Sequence, residues 1–123
     1  PKERVELLKS VGKQYQIFLL SNTNKIHYDA YMAYFNTAYR LDLNSLFEKA
    51  YYSHEIGLRK PNNDCFAFVL KSHSLNKTET LFIDDSIHHI ESANRLGINT
   101  YHHTEGCITK LFNAEGNLLN LLA

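Results

Sequence analysis

The stretch Thr80-Leu81-Phe82-Ile83-Asp84-Asp85-Ser86 joins a short apolar run to two adjacent carboxylates. An apolar run of this length, bounded by polar residues, is typical of a strand buried in a sheet. A second run, residues 15–20, ends in the same way, at Ser21 and Asn22. We therefore predict two strands that are buried on both faces and end in polar side chains.

The segments around these runs carry helical patterns and turn formers. Predicted helices cover residues 1–13, 26–39, 61–72, 87–96 and 108–122, with a helical turn at 43–48, strands at 50–52 and 98–102, and a loop at 54–60. Strands that alternate with helices indicate an α/β fold with a parallel sheet and right-handed crossovers. Ligands of such sheets bind at the carboxyl ends of the strands, where both polar clusters fall.

Composition excludes several classes of function. The 123 residues suit one domain, and thirteen basic residues balance thirteen acidic ones. No positive field is therefore available for nucleic acid or an anionic membrane. The apolar runs are too short to span a bilayer, and two cysteines make no disulfide framework. Without a signal peptide, a reducing cytoplasm is the expected location.

The Asp84-Asp85 pair is the first candidate for chemistry. Two adjacent carboxylates repel each other, and a hard cation such as Mg²⁺, which prefers oxygen ligands, would offset their charge. The alternative is that Asp85 or Ser86 only caps the next helix.

The other candidates are a lysine and a strand-to-helix turn. Lys60, beside a helix start, could neutralise a phosphate or a carboxylate, but a lone lysine is usually a surface residue. Ser21 and Asn22, with the backbone N–H groups of their turn, could cradle a phosphate or simply cap a helix. The histidine pairs 88–89 and 102–103 are poor joint metal ligands, because neighbouring side chains diverge, and a surface role is expected for them.

The order of these motifs resembles that of the haloacid dehalogenase (HAD) superfamily over about residues 15–103. Phe18-Leu19-Leu20-Ser21-Asn22 is similar to its second motif, Gly57-Leu58-Arg59-Lys60-Pro61 to its third and Phe82-Ile83-Asp84-Asp85-Ser86 to its fourth. The likeness is greatest to the helical-cap branch, which contains sugar-phosphate phosphatases.

The resemblance implies a Rossmann-like parallel sheet with flanking helices and a Mg²⁺-dependent phosphomonoester hydrolase. In that family an aspartate attacks a small phosphorylated metabolite and forms an aspartyl-phosphate. By resemblance, Ser21 and Asn22 bind the phosphoryl group, and Lys60 stabilises both the nucleophile and the phosphate. Asp85 would bind Mg²⁺ directly, with Asp84 in support.

The chain departs from the family pattern at the nucleophile. No Asp-x-Asp follows an apolar strand, the cap is missing, and residues 1–14 resemble the helix that returns from the cap. His89 stands where relatives often have Asn. We therefore expect the C-terminal part of a HAD core, without its first strand, that is inactive alone. It would fold with a strand supplied by a missing N-terminal segment of the same protein or by another copy.

Three alternatives remain. A non-catalytic interaction domain could keep the fold, although Lys60 and Asp85 would then be expected to drift, and both are present. A haloacid dehalogenase would use the same core. A phospho-acceptor receiver domain also uses an Asp pair and a Lys, but in the opposite order along the chain.

Overall fold

The computed structural model describes residues 2–104, 106 and 108–119. Helices and strands alternate along most of this length. The elements are α1 (Lys2–Gln14), β1 (Phe18–Ser21), α2 (Lys25–Tyr39), β2 (Lys49–Tyr52), α3 (Ser53–Ile56), α4 (Asn63–Ser72), β3 (Leu81–Asp84), α5 (Ile87–Arg95) and β4 (Asn99–His102), with 3₁₀ turns at Leu43–Leu46, Lys77–Glu79 and Ile108–Leu111.

The chain divides into two compact units, of which the first comprises Pro1–Gly57 and Cys107–Ala123. Its sheet pairs β1 with β2 in parallel, so that Ser21 lies beside Tyr52. Side chains from α1, β2 and the 3₁₀ turn after residue 107 form its core. These buried residues are Val5, Val11, Ala50, Tyr51, Tyr52 and Leu111.

The second unit, Leu58–Gly106, contains the other sheet. Strands β3 and β4 pair in parallel, which places Asp84 beside His102. Helix α5 packs against both strands. The ring of Phe66, on α4, meets the ring of Phe82 edge-on at 5.1 Å between centroids. The buried residues of this unit include Cys65, Phe66, Ile90, Ala93 and Ile98.

The predicted α/β class with parallel strand pairs is confirmed. The prediction that the first and third strands are buried on both faces is wrong, because every residue of β1 and β3 keeps some exposure. Across the described residues, β1 pairs only with β2 and β3 only with β4, in two separate sheets. Within that part of the chain, each of these strands therefore has one edge without a strand partner.

Two other predicted segments differ from the structure. The segment 54–60 is not all loop: α3 forms a helical turn that ends at Gly57, whose φ of 71° is left-handed. The predicted helix at 108–122 is limited to the 3₁₀ turn Ile108–Leu111, and residues 120–122 lie outside the described part. The helix stops because Asn113 accepts hydrogen bonds from the backbone N–H groups of Glu115 and Asn117, and Gly116 takes a φ of 87°.

Within the part of the chain that the structure describes, no helix combines the length and the apolar character needed to cross a membrane.

Candidate functional site

The carboxyl end of β3 carries a buried ion pair. The Nζ atom of Lys60 lies 2.9 Å from Oδ2 of Asp84, and both side chains are 10% exposed. The ammonium also lies 5.6 Å from the centre of the Phe82 ring. A buried charge needs a partner of opposite sign, so the two residues define one electrostatic site. Lys60 is therefore not the surface lysine of the alternative interpretation.

Asp84 accepts four hydrogen bonds. Its Oδ1 atom takes the backbone N–H groups of Asp85 at 2.7 Å and Ser86 at 3.1 Å. Its Oδ2 atom takes Lys60 and Nδ1 of His89, the latter at 3.0 Å. A carboxylate offers about four acceptor positions, so all those of Asp84 are in use.

These contacts set the protonation state of Asp84. Burial alone raises the pKa of the carboxyl group, because it disfavours the charged form. Hydrogen bonds from Lys60, the Ser86 backbone and His89, together with the charge of Lys60, outweigh burial and hold the pKa of Asp84 well below its usual range. Asp84 is thus a carboxylate at neutral pH.

Asp85 has a different environment. Its side chain is exposed, and no hydrogen bond or ion pair to its carboxylate is found among the described residues. Its backbone carbonyl lies 2.8 Å from Nε2 of His102, at the end of β4. Ser86 occupies the cap position of α5 without a side-chain cap hydrogen bond, so helix capping does not account for the Asp84-Asp85-Ser86 sequence.

The donor set at β3 suits Mg²⁺ in part. No group of three or more His, Cys, Asp or Glu side chains able to hold a metal ion occurs among the described residues. Mg²⁺ does not need such a cage, because it is usually held by one or two carboxylates together with waters and substrate phosphate. Asp85 has the free carboxylate for this role, whereas the oxygens of Asp84 are already occupied.

The loop after β1 belongs to the first unit. Ser21 ends the strand, and Asn24 caps α2 by accepting from the backbone N–H of His27 at 2.9 Å. The hydroxyl of Ser53, at the end of the neighbouring β2, accepts from the Thr23 N–H at 2.8 Å and donates to the Thr23 carbonyl at 2.9 Å. This double contact fixes the backbone that follows Ser21.

The structure thus brings two of the predicted site residues, Lys60 and Asp84, into direct contact, with Asp85 next along the chain. Ser21 and Asn22 lie in the other unit, at the carboxyl end of β1 as predicted. Their roles, and the metal role of Asp85, stay predictions.

Sequence reasoning missed Ser53, Ser92 and His102, which support these groups, and singled out His89 only through the family resemblance. Ser53 could have been found as a hydroxyl at the end of the strand beside β1. Ser92 is fully buried, and its hydroxyl donates to the Pro61 carbonyl, which holds the turn after Lys60. The expected surface role of the histidines is wrong for His89 and His102, because α5 and β4 bring them onto the Asp84-Asp85 pair.

Comparison with known proteins finds phosphatases and HAD enzymes that are similar to this chain. A curated D-ribitol-5-phosphate phosphatase from Bacteroides thetaiotaomicron is 29% identical over 103 residues, which are 84% of this chain and 50% of that protein. A HAD family enzyme of the same organism, solved with magnesium and inorganic phosphate, superposes with a TM-score of 0.84 at 32% identity, covering 92% of this chain and 58% of that one. A HAD-like hydrolase from Porphyromonas gingivalis gives a TM-score of 0.77 at 37% identity, covering 82% of this chain and 49% of that one.

The chain therefore spans about half the length of the relatives that it matches. A match to a drimenol cyclase from Aspergillus calidoustus, 26% identical over 90% of this chain, covers only 20% of that protein. Residues 3–102 fit the sequence profile of haloacid dehalogenase-like hydrolases. With most of its length inside that profile, the chain belongs to the haloacid dehalogenase-like hydrolase family.

Proposed function

We propose that this chain is the part of a Mg²⁺-dependent phosphomonoester hydrolase that neutralises phosphate charge, and that the nucleophilic aspartate is supplied by another segment. The substrate would be a small phosphorylated metabolite. The observation that carries the proposal is the buried pair of Lys60 and Asp84, with the exposed Asp85 beside it.

Phosphoryl transfer requires positioning and charge neutralisation more than covalent chemistry from the protein. Lys60 supplies a fixed positive charge, because Asp84 and the surrounding burial hold its ammonium in place. Mg²⁺ bound at Asp85 would offset the negative charge of the phosphoryl oxygens. By the family resemblance, the Ser21 hydroxyl and the Asn22 amide would donate hydrogen bonds to a phosphoryl group, from a loop that Ser53 holds in place.

The relatives support the substrate class. One acts on ribitol 5-phosphate, and another was solved with magnesium and inorganic phosphate. A phosphorylated polyol or sugar is therefore the first substrate class to test.

The nucleophile has to come from outside residues 1–123, because no Asp-x-Asp occurs in them. The sheets support a donated strand: within the described residues each has two strands, and β1 and β3 are largely apolar but partly exposed. Interstrand hydrogen bonds contribute about 0.5–1.5 kcal/mol each, so an added strand would stabilise these edges. The donor would be the N-terminal segment of the same protein or another copy.

Hydrolysis of p-nitrophenyl phosphate tests the proposal. The purified chain of residues 1–123 should show no Mg²⁺-dependent turnover, and the chain produced together with the segment that precedes it in the reading frame should show it. The same pair carrying Lys60→Met is the control for contaminating phosphatase, and it should lose activity. Robust Mg²⁺-dependent activity of residues 1–123 alone, abolished by Lys60→Met, would contradict the proposal.

A further inference from the structure

Two histidines contact the Asp84-Asp85 pair from different elements. His89 lies in the first turn of α5, and its Nδ1 atom is 3.0 Å from Oδ2 of Asp84. His102 ends β4, where the parallel register sets it beside Asp84, and its Nε2 atom is 2.8 Å from the carbonyl oxygen of Asp85. The two rings therefore reach the pair from the helix and from the neighbouring strand.

The acceptors determine which ring nitrogen carries the hydrogen. A carboxylate and a backbone carbonyl can only accept, so the histidine nitrogen must donate in both contacts. His89 must then carry a hydrogen on Nδ1, and His102 must carry one on Nε2. These are opposite tautomers when the rings are neutral, and each is fixed by one contact.

The His89 contact limits what Asp84 can do. Together with Lys60 and the backbone N–H groups of Asp85 and Ser86, His89 occupies the last acceptor position of the Asp84 carboxylate. The carboxylate cannot turn outward without losing one of these bonds. Asp85 is thereby left as the carboxylate of the pair that is free to bind a ligand.

The His102 contact acts on the backbone. Among the described residues, the other hydrogen bond of the peptide between Asp85 and Ser86 runs from the Ser86 N–H to Oδ1 of Asp84. A hydrogen bond to the Asp85 carbonyl from the neighbouring strand fixes the rotation of this peptide. Because the Asp85 side chain leaves the backbone at this point, the direction of its Cα–Cβ bond is restrained as well.

We propose that His89 and His102 are positioning residues for the Asp84-Asp85 pair, His89 by completing the hydrogen bonds of the Asp84 carboxylate and His102 by orienting the Asp85 peptide. This role rests on the proposed binding of Mg²⁺ by Asp85. The sequence gives His89 a matched control, because His88 is its exposed neighbour on the same helix.

The tautomers provide a direct test. Two-bond ¹H–¹⁵N correlation spectra of the assembled protein without metal should show Nδ1 of His89 and Nε2 of His102 protonated, whether or not the rings are charged. A neutral His89 with its hydrogen on Nε2, or a neutral His102 with its hydrogen on Nδ1, would overturn the proposal.

Metal binding tests the positioning role in the assembled protein. Partners of this kind typically change metal affinity by about 10- to 100-fold when removed. His89→Leu and His102→Leu should each raise the Mg²⁺ dissociation constant in this range. His89→Asn and His102→Gln, which keep an N–H donor, should recover most of the affinity, and His88→Leu should leave it unchanged.

The outcomes separate the two proposals. Unchanged Mg²⁺ affinity in His89→Leu and His102→Leu would overturn the positioning role alone. An equal loss in His88→Leu would show a general effect on α5 and overturn it too. No Mg²⁺ binding by the wild-type assembly would overturn the proposed function, and the positioning role with it, even if the tautomers are as expected.

Discussion

At the residue scale, the site depends on how differently two adjacent carboxylates are solvated. Asp84 is buried, ion-paired to Lys60 and saturated with hydrogen bonds, whereas Asp85 is exposed and its carboxylate accepts none from the described residues. Lys60 and the hydrogen-bond donors around Asp84 therefore offset the negative charge of that carboxylate, but not the charge of Asp85. The exposed carboxylate of Asp85 can therefore bind a cation.

This difference predicts an order of effects on Mg²⁺ dependence. Asp85→Asn removes a charge and an oxygen ligand, so the Mg²⁺ concentration for half-maximal activity should rise more than about tenfold in the complete protein. His89→Asn keeps a donor to Asp84 and should change that concentration much less. Titration of activity with Mg²⁺ measures both. An equal Mg²⁺ dependence in wild type and Asp85→Asn would show that Asp85 is not a ligand.

A second residue-scale prediction concerns Tyr52 in the first unit. Its side chain is 2% exposed, and its hydroxyl donates to Oδ1 of Asn44 at 2.7 Å. Burial first, and then nearby Tyr28, Glu55 and Asp42, raise the pKa of Tyr52 to about 12. In the unfolded chain the pKa of tyrosine is about 10.

Because the folded pKa is the higher one, Tyr52 stabilises the fold fully below about pH 10, and this contribution is lost as the pH rises to about 12. Tyr52→Phe should therefore show a smaller fall in the free energy of unfolding over this range. At neutral pH it should be less stable by about 1 kcal/mol, for the lost hydrogen bond. Urea unfolding at several pH values measures both. The same alkaline slope in the two proteins would contradict the assignment.

At the element scale, the positions of the strand ends could be predicted from sequence. The apolar runs before Ser21 and Asp84 are short and end at polar residues, so the carboxyl ends of these strands could be located in the sequence. Their burial was not, since it depends on which strands are present on both edges. The His102 contact could not be predicted either, because His102 lies 17 residues after Asp85 and the β3–β4 register brings the two residues together. The His89 contact is local, but it depends on how the first turn of α5 follows β3.

The turn around Asn113 and Gly116 could not be predicted from the sequence either. The apolar residues after residue 107 predicted a helix, but local hydrogen bonds to Asn113 and the left-handed Gly116 form a tight turn instead. A Cβ atom at Gly116 would lie 2.4 Å from the backbone of Ser10 on α1. Only the folded contact reveals why glycine is needed there.

Gly116→Ala should therefore destabilise the first unit more than Gly57→Ala. Both glycines have positive φ, where alanine costs about 1–2 kcal/mol, but nothing lies within 4 Å of a Cβ atom at Gly57. The extra cost at Gly116 comes from moving α1 or the turn. Urea unfolding of the two variants measures the difference, and equal losses would show that the turn does not pack against α1 as described.

At the scale of the whole molecule, the family assignment explains why the motifs occur in this order. The chain matches about half of its relatives, and the part it matches contains Ser21, Lys60 and Asp85 but no Asp-x-Asp. The order of motifs was available from the sequence. The hydrophobic pattern alone does not distinguish two separate two-stranded sheets from a continuous parallel sheet; the missing strand was expected from the family resemblance.

The location of the phosphoryl-enzyme tests the central claim most directly. The active assembly is mixed with a phosphomonoester substrate and Mg²⁺, quenched rapidly in acid and mapped by peptide mass spectrometry. Lys60→Met, assembled and treated in the same way, is the control for phosphorylation that does not depend on the site. We predict an aspartyl-phosphate on the supplied segment and none on residues 1–123. A phosphoryl group on any residue of the 123, lost in Lys60→Met, would contradict the account.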